Sequence, residues 1–196
     1  MENNNFYTYG MIKPDAIDKM EEIIKMIYDS GLEVHYMKLD NLTSDIIDEN
    51  YDHCRKMDFY PKMKKNLLSG PVLKMLIYDP NGNAVINYRK VLGPTKSSMA
   101  SSSTIRGRFG NKEVTYKNAA HGSGSEKEAQ EEIIRFFKND LDMMLYELRR
   151  YTKVNTINCA VSLIYGNYKD FNMSLDKELD IKSRLNKVKD KYYRGV

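Results

Sequence analysis

Phe6-Tyr-Thr-Tyr-Gly-Met-Ile-Lys-Pro-Asp15 sets two structural patterns side by side. Phe6 to Ile12 is short, rich in aromatic and β-branched residues, and stopped by Pro14, which predicts a strand. Asp15 is placed to cap a helix, in which Ile17, Met20, Ile23, Ile24 and Ile27 recur at helical spacing until Gly31. A strand feeding straight into an amphipathic helix begins an α/β arrangement, and the chain continues it. Leu32 to Leu39 alternates as a second strand, Ser44 opens a short helix through Ile46 and Ile47, and another helix follows Pro61 and ends at Ser69-Gly70. Pro71 to Tyr78 is a third strand, Pro80 to Asn83 a turn, and Ala84 to Leu92 a helix ending at Gly93. From Pro94 to Lys117 periodicity disappears, leaving a long loop of the kind that usually carries function. Asn118 to His121 gives a fourth strand, and Ser125 with Glu128 makes a capping box for a helix through Ile133, Ile134 and Phe137.

The resulting order predicts an α/β (α+β) sandwich: a ferredoxin-like βαββαβ core with a four-stranded antiparallel sheet and covering helices. Beyond Asn139 the pattern gives an amphipathic helix (Leu141 to Tyr151), a β-like run (Thr156 to Tyr165) and a charged helix (Leu175 to Tyr192). Residues 1–147 are therefore expected to form the domain, and residues 148–196 a C-terminal extension.

At 41% hydrophobic and 30% charged residues, the 196-residue chain has enough apolar material for a core. Its net charge of +4 suits anionic small molecules but is ordinary for a solvated surface. Cys54 and Cys159 form no metal-ligand pattern and read as free thiols. No apolar run approaches a membrane span of roughly 20 residues, and no secretory signal opens the chain, so a cytoplasmic protein with no membrane partner is expected.

The chemistry centres on His121, set among small residues in Asn118-Ala-Ala-His-Gly-Ser-Gly-Ser125. At a strand end before a helix N-terminus, a bulky anionic ligand can approach it, and free backbone amides suit phosphate oxygens. Glu132 lies seven residues beyond the cap Ser125, on the same helix face, where a carboxylate can hold one imidazole nitrogen and leave the other nucleophilic. Lys13 follows the first strand, Arg89 sits in the helix before Gly93, and Thr95 and Arg106 follow it. Cations converging from separate segments are what a triphosphate needs, because phosphoryl transfer is catalysed by positioning and charge stabilisation. Each residue alone reads as a surface charge or a structural histidine. Only the whole set is informative.

That set resembles the nucleoside diphosphate kinase family. The matching stretches are Tyr9 to Asp15, Asn50-Tyr51, Phe59-Tyr60, Ser69 to Val72, Arg89 to Thr95, Thr104 to Gly107 and Asn118 to Ser123, in the family's order over roughly residues 6–145. The resemblance implies that His121 takes the γ-phosphoryl group of a triphosphate and passes it to a diphosphate. It implies that Glu132 orients the imidazole and that Ser123 supports the pair. By the same resemblance Lys13, Tyr51, Arg106 and Asn118 surround the transferred phosphate and the sugar, Arg89 and Thr95 bind the remaining phosphates, and Phe59 stacks on the base. The resemblance further implies that Mg2+ rides on the nucleotide phosphates without dedicated protein ligands, that the partners are nucleoside di- and triphosphates, and that the assembly is a homo-oligomer.

The departures are Ser101-Ser-Ser103 where the family has Lys-Pro-Gly, Arg108 in place of an aspartate, Gly124 in place of another, and about two extra residues before Asn118. They motivate an alternative, a catalytically weakened member acting as a nucleotide-binding or scaffold protein. A third reading, a ferredoxin-like nucleic-acid binder, requires exposed aromatics on the sheet face, and no such motif is present, so nucleic acid is not expected. There is no P-loop and no protein-kinase catalytic-loop signature. Leu175 to Val196 holds seven Lys and Arg against four Asp and Glu, interleaved as on a solvated helix.

Overall fold

A computed structural model describes residues 5–140, 143 and 144. The chain divides into two units, Met1–Asn139 and Asp140–Val196, and every element described below belongs to the first. Apart from Met143 and Met144, the expected helix Leu141 to Tyr151, the β-like run and the charged helix lie outside the described residues.

Four strands, β1 (Tyr7–Ile12), β2 (Glu33–Asp40), β3 (Val72–Tyr78) and β4 (Ala120–Gly122), form one sheet in the order β2-β3-β1-β4. All three pairings are antiparallel. The helices are α1 (Met20–Asp29), α2 (Ser44–Asn50), α3 (Tyr60–Leu67), α4 (Ala84–Leu92), α5 (Ile105–Phe109) and α6 (Glu126–Phe137). This is the ferredoxin-like βαββαβ sandwich that the alternation of patterns predicts.

Every residue of β1 is buried, because helices cover both sheet faces. On one face Ile12, Leu73, Met75 and Ile77 pack with Ile23 and Ile27 of α1 and Tyr88 and Leu92 of α4. On the other, Tyr9 stacks on Phe136 of α6, with ring centroids 4.4 Å apart, and meets Phe137 edge-on. Tyr7, Tyr9 and Tyr36 are all buried, so these three sheet aromatics offer no stacking platform.

Three details differ from the sequence expectation. Asp15 caps no helix: Pro14–Lys19 is a 3-10 stretch kinked at Ala16, with no side-chain cap at its start. The region from Pro94 to Lys117 contains a 3-10 turn (Ser97–Met99) and α5, whose cap Thr104 accepts from the Gly107 N–H at 3.2 Å. Five residues rich in Gly and Arg carry too little apolar periodicity to announce α5. Finally, β4 begins at Ala120 rather than Asn118, because the backbone reverses sharply at Ala119.

Candidate active site

The reversal at Ala119 builds the site. Its φ of 67° is the left-handed region, uncommon for a residue with a Cβ. The Ala120 N–H donates back to the Asn118 carbonyl at 2.8 Å, closing a γ-turn. Two neighbours hold this strained geometry: the Lys13 N–H donates to the Ala119 carbonyl at 2.8 Å, and Asp15 Oδ2 accepts from the Ala119 N–H at 3.1 Å. Asp15 Oδ1 also accepts from Asn66 Nδ2 at 2.8 Å. The acid that sequence places at a helix cap is instead a tie between the first strand end and the histidine segment. Asp15→Ala is expected to cost about 1–3 kcal/mol in denaturant unfolding, because it leaves the Ala119 N–H and the Asn66 amide without acceptors. A loss under about 0.5 kcal/mol, the range of a neutral surface change, would show that the turn needs no tie.

Beyond the turn, His121 pairs with Met11 of β1 and therefore shares the sheet face covered by α6. That face brings it to Glu132. His121 Nε2 lies 2.8 Å from Glu132 Oε1, Asn50 Nδ2 donates to the same oxygen at 3.0 Å, and Ser123 Oγ donates to Oε2 at 2.6 Å. Burial would push the Glu132 carboxyl up. The His121 ring beside it and these hydrogen bonds outweigh burial and hold it below the usual glutamate value. The ionised carboxylate is acceptor-only, so Nε2 carries a proton and Nδ1 keeps its lone pair. The Tyr51 hydroxyl stands 3.5 Å from Nδ1.

His121 lines a cavity of about 720 Å³ together with Lys13, Tyr51, Phe59, Arg89, Thr95, Arg106 and Asn118. Lys13 Nζ donates to Asn118 Oδ1 at 2.7 Å and to the Tyr116 carbonyl at 3.1 Å, and Asn118 Nδ2 donates to the Thr95 carbonyl at 2.9 Å. Burial, reinforced by Arg106 and opposed by Asp15, lowers Lys13 to about 8. Arg106 is a brace as well as a charge. Its Nε and Nη2 donate to the Ala120 carbonyl at 3.1 Å and its Nη1 to the Gly93 carbonyl at 3.0 Å, leaving two N–H groups for a ligand. Gly107 behind it is obligatory, since a Cβ there would lie 1.7 Å from the Ser101 carbonyl oxygen. Phe59, at the N-terminus of α3, is exposed.

All ten residues that the sequence singles out thus fall at one place: seven line the cavity beside His121, and Ser123 and Glu132 stand behind the imidazole. Sequence reasoning gives no role to Asn50 or the Tyr116 carbonyl. Nothing in a helical asparagine or a loop backbone signals such contacts.

A family model for nucleoside diphosphate kinase matches residues 7–141. The chain belongs to the nucleoside diphosphate kinase family. It is 35% identical over 136 residues to nucleoside diphosphate kinase 1 of Protochlamydia amoebophila, which covers 68% of this chain and 93% of the relative. Among solved structures it is similar to the nucleoside diphosphate kinase of Encephalitozoon cuniculi, with TM-score 0.62, 33% identity, and 67% and 88% of the two chains covered. It is also similar to that of Halobacterium salinarum, solved in complex with CDP, with TM-score 0.64, 27% identity, and 69% and 90% covered.

The departures from the nucleoside diphosphate kinase pattern now have places. Ser101 and Ser103 bond to each other at 2.9 Å in the turn before α5, and exposed Arg108 pairs with Glu22 at 3.1 Å. At Gly124 the backbone N–H donates to Glu128 Oε2 at 2.7 Å, so the Glu128 carboxylate, expected on the Ser125 N–H, reaches one residue further into the cavity wall.

Proposed function

We propose that this chain is an active nucleoside diphosphate kinase working through a phosphohistidine on His121. The observation that carries the reading is the 2.8 Å bond between His121 Nε2 and Glu132, which leaves the Nδ1 lone pair for a cavity lined by Lys13, Arg89 and Arg106. Nδ1 attacks the γ-phosphorus of a bound triphosphate. The N–P bond forms, the bond to the β–γ bridging oxygen breaks, and the diphosphate leaves. Glu132 stabilises the positive charge that the imidazole gains, and the Nε2 proton stays where it is. A β-phosphate oxygen of a second diphosphate then attacks the same phosphorus, breaking the N–P bond and restoring the lone pair. Lys13 and Arg106 offset the charge on the transferring oxygens.

Among the described residues no group of three His, Cys, Asp or Glu side chains gathers to hold a metal. Of the cavity's carboxylates, Glu128 is turned to the Gly124 amide. In this reading Mg2+ arrives on the nucleotide phosphates, where it would supply charge neutralisation. An aromatic stack on Phe59 tolerates every base, and the CDP complex of the Halobacterium salinarum relative agrees with a nucleotide site.

Mixing the purified chain with γ-labelled ATP and magnesium, without acceptor, is expected to give an acid-labile, base-stable label that discharges onto added GDP or dCDP. Nucleotide binding without any label would instead support a binding protein.

A further inference from the structure

The Glu132 carboxylate is tied to a second helix. Asn50, at the end of α2, donates from Nδ2 to Glu132 Oε1 at 3.0 Å, while its Oδ1 accepts from Arg135 Nη1 at 2.8 Å. Arg135 in turn donates from Nε to Glu49 Oε1 at 2.8 Å. Because an arginine has no acceptor, the oxygen end of the Asn50 amide must face it, which leaves the NH2 end for Glu132. Arg135 thus donates to both Glu49 and Asn50, Asn50 donates on to Glu132, and the Glu132 carboxylate also accepts from His121, so the five residues form one connected chain of hydrogen bonds. Neither Glu49 nor Arg135 lines the cavity.

We infer that the Asn50–Arg135 clamp positions Glu132 and so sets the His121 tautomer. Asn50 and Arg135 are positioning residues acting through Glu132. This rests on the phosphohistidine reading, which gives the tautomer its catalytic meaning. The geometry also explains why one carboxylate oxygen stays on Nε2. With Ser123 on Oε2 and Asn50 on Oε1, rotation of the carboxylate away from Nε2 breaks two further bonds. Losing the Asn50 donor frees that rotation and lets the proton visit Nδ1, which removes the nucleophile for that fraction of the time.

Asn50→Asp is the decisive variant. It keeps the volume and the acceptor for Arg135, removes the NH2 donor, and sets a like charge against Glu132. In the full-length chain the rate of phosphoenzyme formation at saturating ATP is expected to fall about tenfold or more, by analogy with residues that orient a ligating histidine. Because Asn50 also lines the cavity, the added charge weakens ATP binding as well, which saturation separates from the rate. The acidic limb of its pH–rate profile should move to higher pH, since two facing carboxylates share a proton. Nitrogen NMR of the neutral His121 ring should show the Nε2–H tautomer in the native chain and a mixture in the variant. Arg135→Met, outside the cavity, should give the same change at smaller size, because the Asn50 amide is then free to flip. An unchanged tautomer and rate in both variants would overturn the clamp while leaving the phosphohistidine intact. The tautomer measurement needs no turnover, so it reports on the clamp even if the native chain forms no phosphoenzyme, which would overturn the functional reading instead.

Discussion

His121→Ala is expected to remove phosphoenzyme formation and to lower turnover by about four orders of magnitude or more, the scale on which loss of a covalent nucleophile acts. Nucleotide affinity should change only a few-fold, because Lys13, Arg89, Arg106 and Phe59 keep their places on the cavity wall. Turnover by a coupled assay and binding by calorimetry, measured on one preparation, separate the two effects. Retention of label in the variant would move the phosphorylated group elsewhere and overturn the assignment. A stability change accompanies the loss. The Glu132 carboxyl, held below the ordinary value of 4.5, contributes stability that is complete above that value and is lost as pH falls through its lower folded value. Without His121 its largest charge partner is gone and burial pushes the carboxyl up, so acid unfolding of the variant should begin at higher pH.

Lys13→Met is expected to reduce kcat/KM by about two to three orders of magnitude, the range for removing one preorganised charge from a transition state. The native pH profile gives the sharper test. Lys13 is lowered to about 8 by burial, so kcat/KM, which reports the free protein, should decline as pH rises through about 8. In kcat the decline should move to higher pH, because a bound polyphosphate favours the charged amine. The stability effect has the opposite sign. Between about 8 and the ordinary lysine value of 10.5 the unfolded chain binds the extra proton, so the Lys13 contribution to stability rises with pH across that window. Lys13→Met should abolish both trends. If Lys13 only braces Asn118 and the Tyr116 carbonyl, the variant would lose stability while its alkaline limb of kcat/KM stayed where it was.

The contrast between Asp15 and Glu132 shows what linear reading captures. Glu132 is found from the sequence because it lies on the helix that follows His121, and helical spacing fixes its face relative to the cap Ser125. Asp15 also lies where a local rule applies, just before an amphipathic helix, yet the rule gives the wrong partner. Its oxygens bond to Asn66 and Ala119, 51 and 104 positions away. The strain at Ala119 escapes for the same reason, since alanine carries no mark of a positive φ. Short α5 escapes because its five residues are held by Thr104 and by the braces of Arg106 rather than by periodicity.

The sequence by itself determined the strands and long helices, the antiparallel four-stranded plan, the family, and the residue types that meet at the cavity. Those properties follow from local periodicity, turn residues and motifs, which act over a few positions. Only the tertiary structure decided that Asp15 pins the turn, that Arg106 braces two carbonyls, that Lys13 is buried enough to lower its proton affinity, and that Asn50 and Arg135 reach Glu132. Hydrogen-bond geometry and desolvation depend on which distant groups the fold brings within about 3 Å, and no spacing along the chain encodes that.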